Sequence, residues 1–227
     1  MDNLDTRFQH TKGRISQALA AAKRDDSVHL LAVSKYHSVD KIKALYALGQ
    51  TEFGENYVSE AQDKIVALAD YAICWHFIGP IQSNKTRQIA SLFDWVQSVD
   101  RIKIAQRLSQ QRPENKEPLN ICLQLNLNNE AQKSGFSLAE LEHNIAQISD
   151  YPNLRIRGLM AIPEQSSDLD QQRHNFAQLR QLQEKMSRQF NLNLDTLSMG
   201  MSSDLEAAIL EGSNMVRIGT ALFGSRD

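Results

Sequence analysis

A chain of 227 residues with net charge −2, 41% hydrophobic and 23% charged residues has the make-up of an ordinary globular protein. That charge leaves no dense basic surface, which excludes a general nucleic-acid binder, and no run approaches the ~18 uninterrupted apolar residues of a membrane span; disorder, collagen and a disulfide scaffold are excluded by the same composition. Asp2, Asp5 and Arg7 precede any apolar run, unlike a secretory signal or transit peptide, so the expected location is the cytoplasm, with Cys74 and Cys122 as reduced thiols.

Short β-branched runs alternate with helix-period segments from residue 28 onward. Ahead of them, Leu4 to Ala22 carries Leu4, Phe8, Ile15 and Leu19 on one face and is predicted as an added N-terminal helix. The first strand is His29–Ser34, followed by a helix from Ser38 to the stop at Gly49. Then come strand Glu52–Gly54, a helix with Val58, Ala61, Ile65 and Leu68 inward, strand Cys74–Ile78, and a helix from Lys85 to Phe93. Strand Trp95–Ser98 leads to helix Arg101–Gln111 with Asp100 as its N-cap. Strand Asn120–Leu127 places Ile121, Leu123, Leu125 and Leu127 on one face. Ser137 and Glu140 form a capping box for the next helix, to Ile148. Strand Leu154–Ala161, the long helix Leu169–Phe190 and strand Thr196–Met199 follow. Ser203 and Glu206 have the spacing of a second capping box, for a helix ending at Gly212, before strand Met215–Ile218 and the short segment Ala221–Phe223.

Eight strands alternating with helices predict an α/β chain folded as a (β/α)8 TIM barrel, one domain over residues 1–227. An open doubly wound sheet is the alternative. A nucleotide-binding sheet of that kind is expected to carry a Gly-rich first turn, and here the turn is Ser34-Lys35-Tyr36-His37.

In a barrel, chemistry sits where strands end and loops begin. There the chain delivers Lys35, Asn56, the run Ser198-Met199-Gly200-Met201-Ser202, and Arg217 followed by Gly219 and Thr220. The last two loops have the glycine, hydroxyls and helix starts that take a phosphate, or that simply cap a helix and tighten a turn. A lysine at an apolar strand end offers an amine to a carbonyl. Together they point to a phosphorylated aldehyde: pyridoxal phosphate, or an aldolase-type sugar phosphate. His76, between Trp75 and Phe77, reads as a packed strand histidine. No metal-ligand spacing or hydrolase elbow is present in the sequence, so neither a metal nor that chemistry is expected.

Six motifs in chain order carry a resemblance: Leu31-Ala32-Val33-Ser34-Lys35, Phe53-Gly54-Glu55-Asn56-Tyr57, Trp75 to Lys85, Gly158 to Pro163, Ser198 to Ser202, and Val216 to Thr220. They resemble the pyridoxal-phosphate homeostasis proteins, single-domain relatives of the alanine racemase barrel, of pyridoxal-phosphate fold type III. The resemblance implies a pyridoxal 5'-phosphate carrier or buffer without established catalytic activity, with cofactor-dependent apo-enzymes as recipients. It implies that Lys35 forms the internal aldimine and that Asn56 lies near the ring. Ser198, Gly200, Gly219 and Thr220 would hold the phosphate, and Arg217 would face the ring nitrogen or the phosphate, the ring side being favoured because the two loops already supply phosphate donors. Relatives often carry a basic residue two positions after the lysine, where this chain has His37; Lys133 matches a family lysine and would be the remaining member of a second, transient site.

The alternative is an amino-acid racemase of the alanine racemase type. That chemistry needs a second base opposite the lysine, a tyrosine that racemases draw from a further β domain, which residues 1–227 are not expected to include. Net charge −2 and no spare apolar helix favour a monomer.

Overall fold

The computed structural model describes residues 3–127, 134–164 and 166–224. Eight parallel strands form a ring: His29–Val33 (β1), Glu52–Glu55 (β2), Cys74–Phe77 (β3), Trp95–Val99 (β4), Leu119–Leu125 (β5), Leu154–Ala161 (β6), Thr196–Ser198 (β7) and Met215–Ile218 (β8). Each pairs with the next, and β8 returns to β1 with Arg217 opposite Leu31, closing the barrel. This is the expected (β/α)8 architecture.

Outside the ring lie Leu4–Ala21 (α1), Val39–Ala47 (α2), Val58–Ala67 (α3), Thr86–Leu92 (α4), Ile102–Gln111 (α5), Leu138–Ser149 (α6), Leu169–Phe190 (α7), Leu205–Leu210 (α8) and Thr220–Phe223 (α9). Their apolar faces make the core between strands and helices. Ile42 and Leu45 of α2, Ile89 of α4 and Phe176 and Leu179 of α7 are buried there with Phe53 and Phe77. The helix α1 precedes the first strand and packs on α8 and α9. Arg14 binds Glu206 at 2.6 Å and the Ser202 carbonyl at 3.0 Å, fastening it there.

Local signals decide some ends and distant partners others. Ser137 and Glu140 make the expected reciprocal capping box, and Asp168 caps α7. Two caps differ from expectation. Asp100 does not cap α5: the N-cap is Arg101, whose guanidinium holds the Asp100 carboxylate at 2.6 Å. Ser203 and Glu206 make no box, because α8 starts one residue later, at an Asp204 N-cap, and Arg14 takes the Glu206 carboxylate. β5 ends at Leu125, and Leu127 lies in a turn rather than in the strand.

The ring is not uniformly laced. β5 and β6 share a ladder from Leu119↔Leu154 to Leu125↔Ala161, whereas β7 and β8 are paired only at Ser198↔Met215. Side chains fill in at the thin join. Ser213 Oγ lies within reach of the carbonyls of Leu197, Met199 and Met215, and Asn214 binds the Leu197 N–H and the Asp195 carbonyl.

Candidate functional site

The C-terminal ends of parallel strands converge on one face, and the side chains just past them share a mouth. Lys35 leaves β1 there and is half-buried. Gly219 follows β8, the strand paired with β1. A β-carbon on Gly219 would sit 3.5 Å from the Val33 β-carbon, so the β8 loop lies against the end of β1. The β7 and β8 loops also meet, through the Ala221 N–H and Ser202 Oγ at 3.4 Å. Pairing of β1 with β8 and contact between these loops bring Lys35, Gly200, Gly219 and Thr220 to one side of the mouth.

Gly200 has φ +96, and a β-carbon there would approach that of Ala208 to 2.6 Å. Only glycine fits such a turn without strain. Its carbonyl accepts the Arg217 N–H at 3.0 Å, while Met201 N–H is taken by the Asp204 carboxylate at 2.6 Å.

Asn56 follows β2. With Ile78, Pro80, Gln124, Asn126 and Pro163 it lines a cavity of about 270 Å³ at the mouth. Its Oδ1 is buried and has no hydrogen-bond partner among the described residues. A buried polar atom left alone is costly, which marks a place where a ligand can complete the bonding.

Arg217 points into the barrel. Its guanidinium donates to Ser198 O at 2.6 Å, Ser198 Oγ at 2.8 Å and Ala161 O at 3.0 Å. Burial pulls its pKa down to about 10, so it remains a cation at neutral pH. Strand alternation turns Ser198 inward as well. Its hydroxyl donates to Gln97 Oε1 at 2.5 Å instead of facing the loops where a phosphate-binding hydroxyl was expected.

Below, the polar contacts continue in one line. Gln97 Nε2 lies 2.9 Å from His76 Nδ1, and His76 Nε2 lies 3.4 Å from Cys74 Sγ. A guanidinium only donates, so Ser198 Oγ accepts from Arg217 and spends its own proton on Gln97. Gln97 then presents its N–H to Nδ1, and the His76 proton sits on Nε2, toward the sulfur. Burial pulls His76 down to about 4, and burial pushes the Cys74 thiol up to about 12. Both are neutral core groups, in keeping with the packed histidine read from the sequence.

A second polar cluster lies behind Lys35 and was not anticipated. Lys64 of α3 is buried and touches Ser34 O, Glu55 Oε1 and Glu60 Oε1, each at 2.7 Å. A lysine among the inward positions of an otherwise apolar helix face was its only sequence trace. His37 is buried and stacked on Phe223 with ring centroids 4.4 Å apart, so it is no surface base. Lys133 lies outside the described residues. Among the described residues, no helix is long and apolar enough to cross a membrane, and no cluster of metal-ligating side chains is present.

A family model described as alanine racemase, N-terminal domain, matches residues 8–227. The pyridoxal phosphate homeostasis protein of Pseudomonas aeruginosa is 53% identical over 228 residues, covering 100% of this chain and 97% of that protein. Its counterpart in Escherichia coli K12 is 43% identical over 231 residues, covering 100% and 98%. PipY of Synechococcus elongatus PCC7942, solved with PLP bound, is similar at TM-score 0.83 and 39% identity, covering 92% of this chain and 100% of that one. An alanine racemase from Corynebacterium glutamicum has the same fold at TM-score 0.70 and 17% identity, covering 98% of this chain and 62% of that one.

Proposed function

We infer, because this chain belongs to the pyridoxal phosphate homeostasis proteins, that it binds pyridoxal 5'-phosphate and acts as its carrier or buffer in the cytoplasm. The observation that carries this reading is the mouth itself. A half-buried lysine and two glycine-bearing loops meet on one side, and Asn56 brings a buried, partnerless Oδ1 to the same face. Free thiols at Cys74 and Cys122 are in keeping with a reducing compartment.

The residues fit the group. When bound, the cofactor supplies an aldehyde carbon, which a neutral amine captures with loss of water, and a phosphate dianion. Lys35 would provide the amine. Gly200, Gly219 and Thr220 would hold the phosphate through main-chain N–H groups and the Thr220 hydroxyl. Asn56 would complete its bonding against the ring. Arg217 would face the ring nitrogen and, being a donor only, keep a proton off it; an unprotonated ring is a weak electron sink. Ser198 would contribute from beneath, by fixing the Arg217 guanidinium rather than by touching phosphate.

We infer no independent catalytic activity. A racemase needs a second base aimed at the substrate from the face opposite the lysine. The tyrosines near Lys35 are Tyr36 and Tyr57, and the Tyr36 hydroxyl donates to that of Tyr57 at 2.5 Å, engaging both in one hydrogen bond. Alanine and serine are therefore expected to keep their configuration in the presence of the loaded protein. Turnover that disappears in Lys35→Ala would reverse the non-catalytic assignment.

The direct test is absorption spectroscopy of the purified protein with and without borohydride, followed by peptide mass mapping. Bleaching of a visible band with phosphopyridoxyl mass on Lys35 is expected, and Lys35→Ala should lose the adduct while unfolding at an unchanged temperature. A colourless protein that takes up no added pyridoxal phosphate would refute the cofactor assignment.

A further inference from the structure

Lys35 sits between two peptide groups, and a charged side chain grips each of them. The peptide before it offers Ser34 O, which accepts from Lys64 Nζ at 2.7 Å. The peptide after it offers Tyr36 N–H, which donates to Glu60 Oε1 at 2.5 Å. Lys64 and Glu60 are bonded to each other at 2.7 Å, so the two grips are one unit. Glu55 completes it, accepting from Lys64 at 2.7 Å and from Ser34 Oγ at 2.6 Å. All three ammonium protons of Lys64 are thereby used.

Two further facts argue that this unit does more than fill space. Tyr36 has φ +67, a left-handed conformation that a bulky residue seldom adopts. Such strain persists where the surroundings over-determine the backbone, and it gathers at functional positions. The cluster also sets two carboxylates around one buried ammonium, Glu60 half-buried and Glu55 fully buried, with the Glu55 Oε2 unpartnered among the described residues and its pKa raised by burial. An apolar trio would build this corner more simply. Lys64 and Glu60 bond the peptide groups on either side of Lys35, so their effect on a ligand would pass through Lys35.

We propose that Lys64, Glu55 and Glu60 are positioning residues for Lys35: by fixing the peptides on both sides of it they hold its amine toward the mouth, and so control covalent capture of the cofactor rather than its retention. This rests on Lys35 being the attachment point, as proposed above. Retention draws on other strand ends, those of β2, β7 and β8, and is separable from the turn after β1.

Glu60 is the member to remove, because its side chain is 25% exposed while Lys64 is 7% exposed and Glu55 fully buried. In Glu60→Ala the Tyr36 N–H loses its acceptor, and the turn is free to relax away from φ +67. Glu60→Gln keeps an oxygen for that N–H. Tyr36→Gly in the Glu60→Ala background makes φ +67 cheap again.

The test loads each variant with pyridoxal 5'-phosphate, quenches with borohydride at intervals and quantifies the adduct on Lys35 by peptide mass. Retention is measured in parallel by dialysis with pyridoxine 5'-phosphate, an alcohol that cannot form the bond, and thermal unfolding reports the fold. Attachment in Glu60→Ala is expected to slow about tenfold, with retention of pyridoxine 5'-phosphate and unfolding temperature unchanged. Glu60→Gln should keep most of the native rate, and the Tyr36→Gly partner substitution should restore it. Native attachment kinetics in Glu60→Ala would overturn the proposal. So would a parallel loss of attachment and retention, which would assign the cluster to the fold of the mouth. A native protein whose adduct maps to another lysine removes the premise, and that result appears before any variant is made.

Discussion

His76 is fully buried, and its pKa falls from an ordinary 6.5 to about 4. Desolvation is the main cause. The bonding direction adds another: a proton placed on Nδ1 would face the amide N–H of Gln97, which is already a donor. The depressed value makes a stability statement. Above pH 6.5 the ring is neutral in both folded and unfolded chains. Between 6.5 and 4 the unfolded chain takes the proton and the folded one does not, so stability falls as pH falls, and the loss is complete once pH passes below 4. The gap of about 2.5 pH units corresponds to about 3 kcal/mol. At ~2–4 °C per kcal/mol for a chain of this size, that is roughly 6–12 °C in unfolding temperature.

The assay is urea unfolding at a series of pH values for the native chain and His76→Gln. Carboxylates held low in the folded state, such as Glu206 beside Arg14, also lose stability in acid, and Glu55, held high, works the other way. Both proteins contain these groups, so they cancel in the difference. Between pH 6.5 and 4 the native chain should lose about 3 kcal/mol more stability than the variant. Parallel curves would refute the protonation and bonding direction assigned to the barrel interior.

Two other substitutions test separate parts of the site. Arg217→Gln removes a cation with three hydrogen bonds, each contributing about 1.5–3 kcal/mol net. Retention of pyridoxal 5'-phosphate is expected to weaken roughly ten- to a hundredfold in equilibrium dialysis, and unchanged affinity would deny Arg217 a contact with the ring. Gly158→Ala places a β-carbon 1.7 Å from the Thr196 carbonyl oxygen, a main-chain atom that cannot step aside. Forcing β6 from β7 should cost about 1–3 kcal/mol and lower the unfolding temperature by several degrees; an unaltered melt would show that the two strands are not held this close.

The sequence was readable wherever the deciding interaction was local. β6, α7 and β8 fall where alternation and helical spacing put them, and Ser137 with Glu140 caps α6 because both partners lie within one turn. Asp100 and Glu206 had the right types at the right spacing. They were claimed by arginines instead, the second by Arg14 far away in the chain. The strand ends that bring Lys35 beside Gly219 followed from the barrel order alone. The grip of Lys64 on Ser34 and Glu55 did not: it joins α3 to the ends of two strands, and nothing local announces that a lysine on a buried face will find carboxylates there. Likewise the inward turn of Ser198 toward Gln97 exists only once the ring closes.

A closed ring has no edge, yet its ladders differ in length: β7 and β8 have a single register pair, extended by main-chain bonds from Asn214 to Leu197, Met199 to Met215 and Arg217 to Gly200. Those strands lead into the loops proposed above to hold a phosphate. The side-chain staples of Ser213 and Asn214 rest on carbonyls and amides at this join. The long ladder of β5 and β6 lies on another arc of the ring. The ring thus sets a long-laced arc at β5 and β6 apart from a short-registered, side-chain-stapled one at β7 and β8, beside the loops proposed for the phosphate.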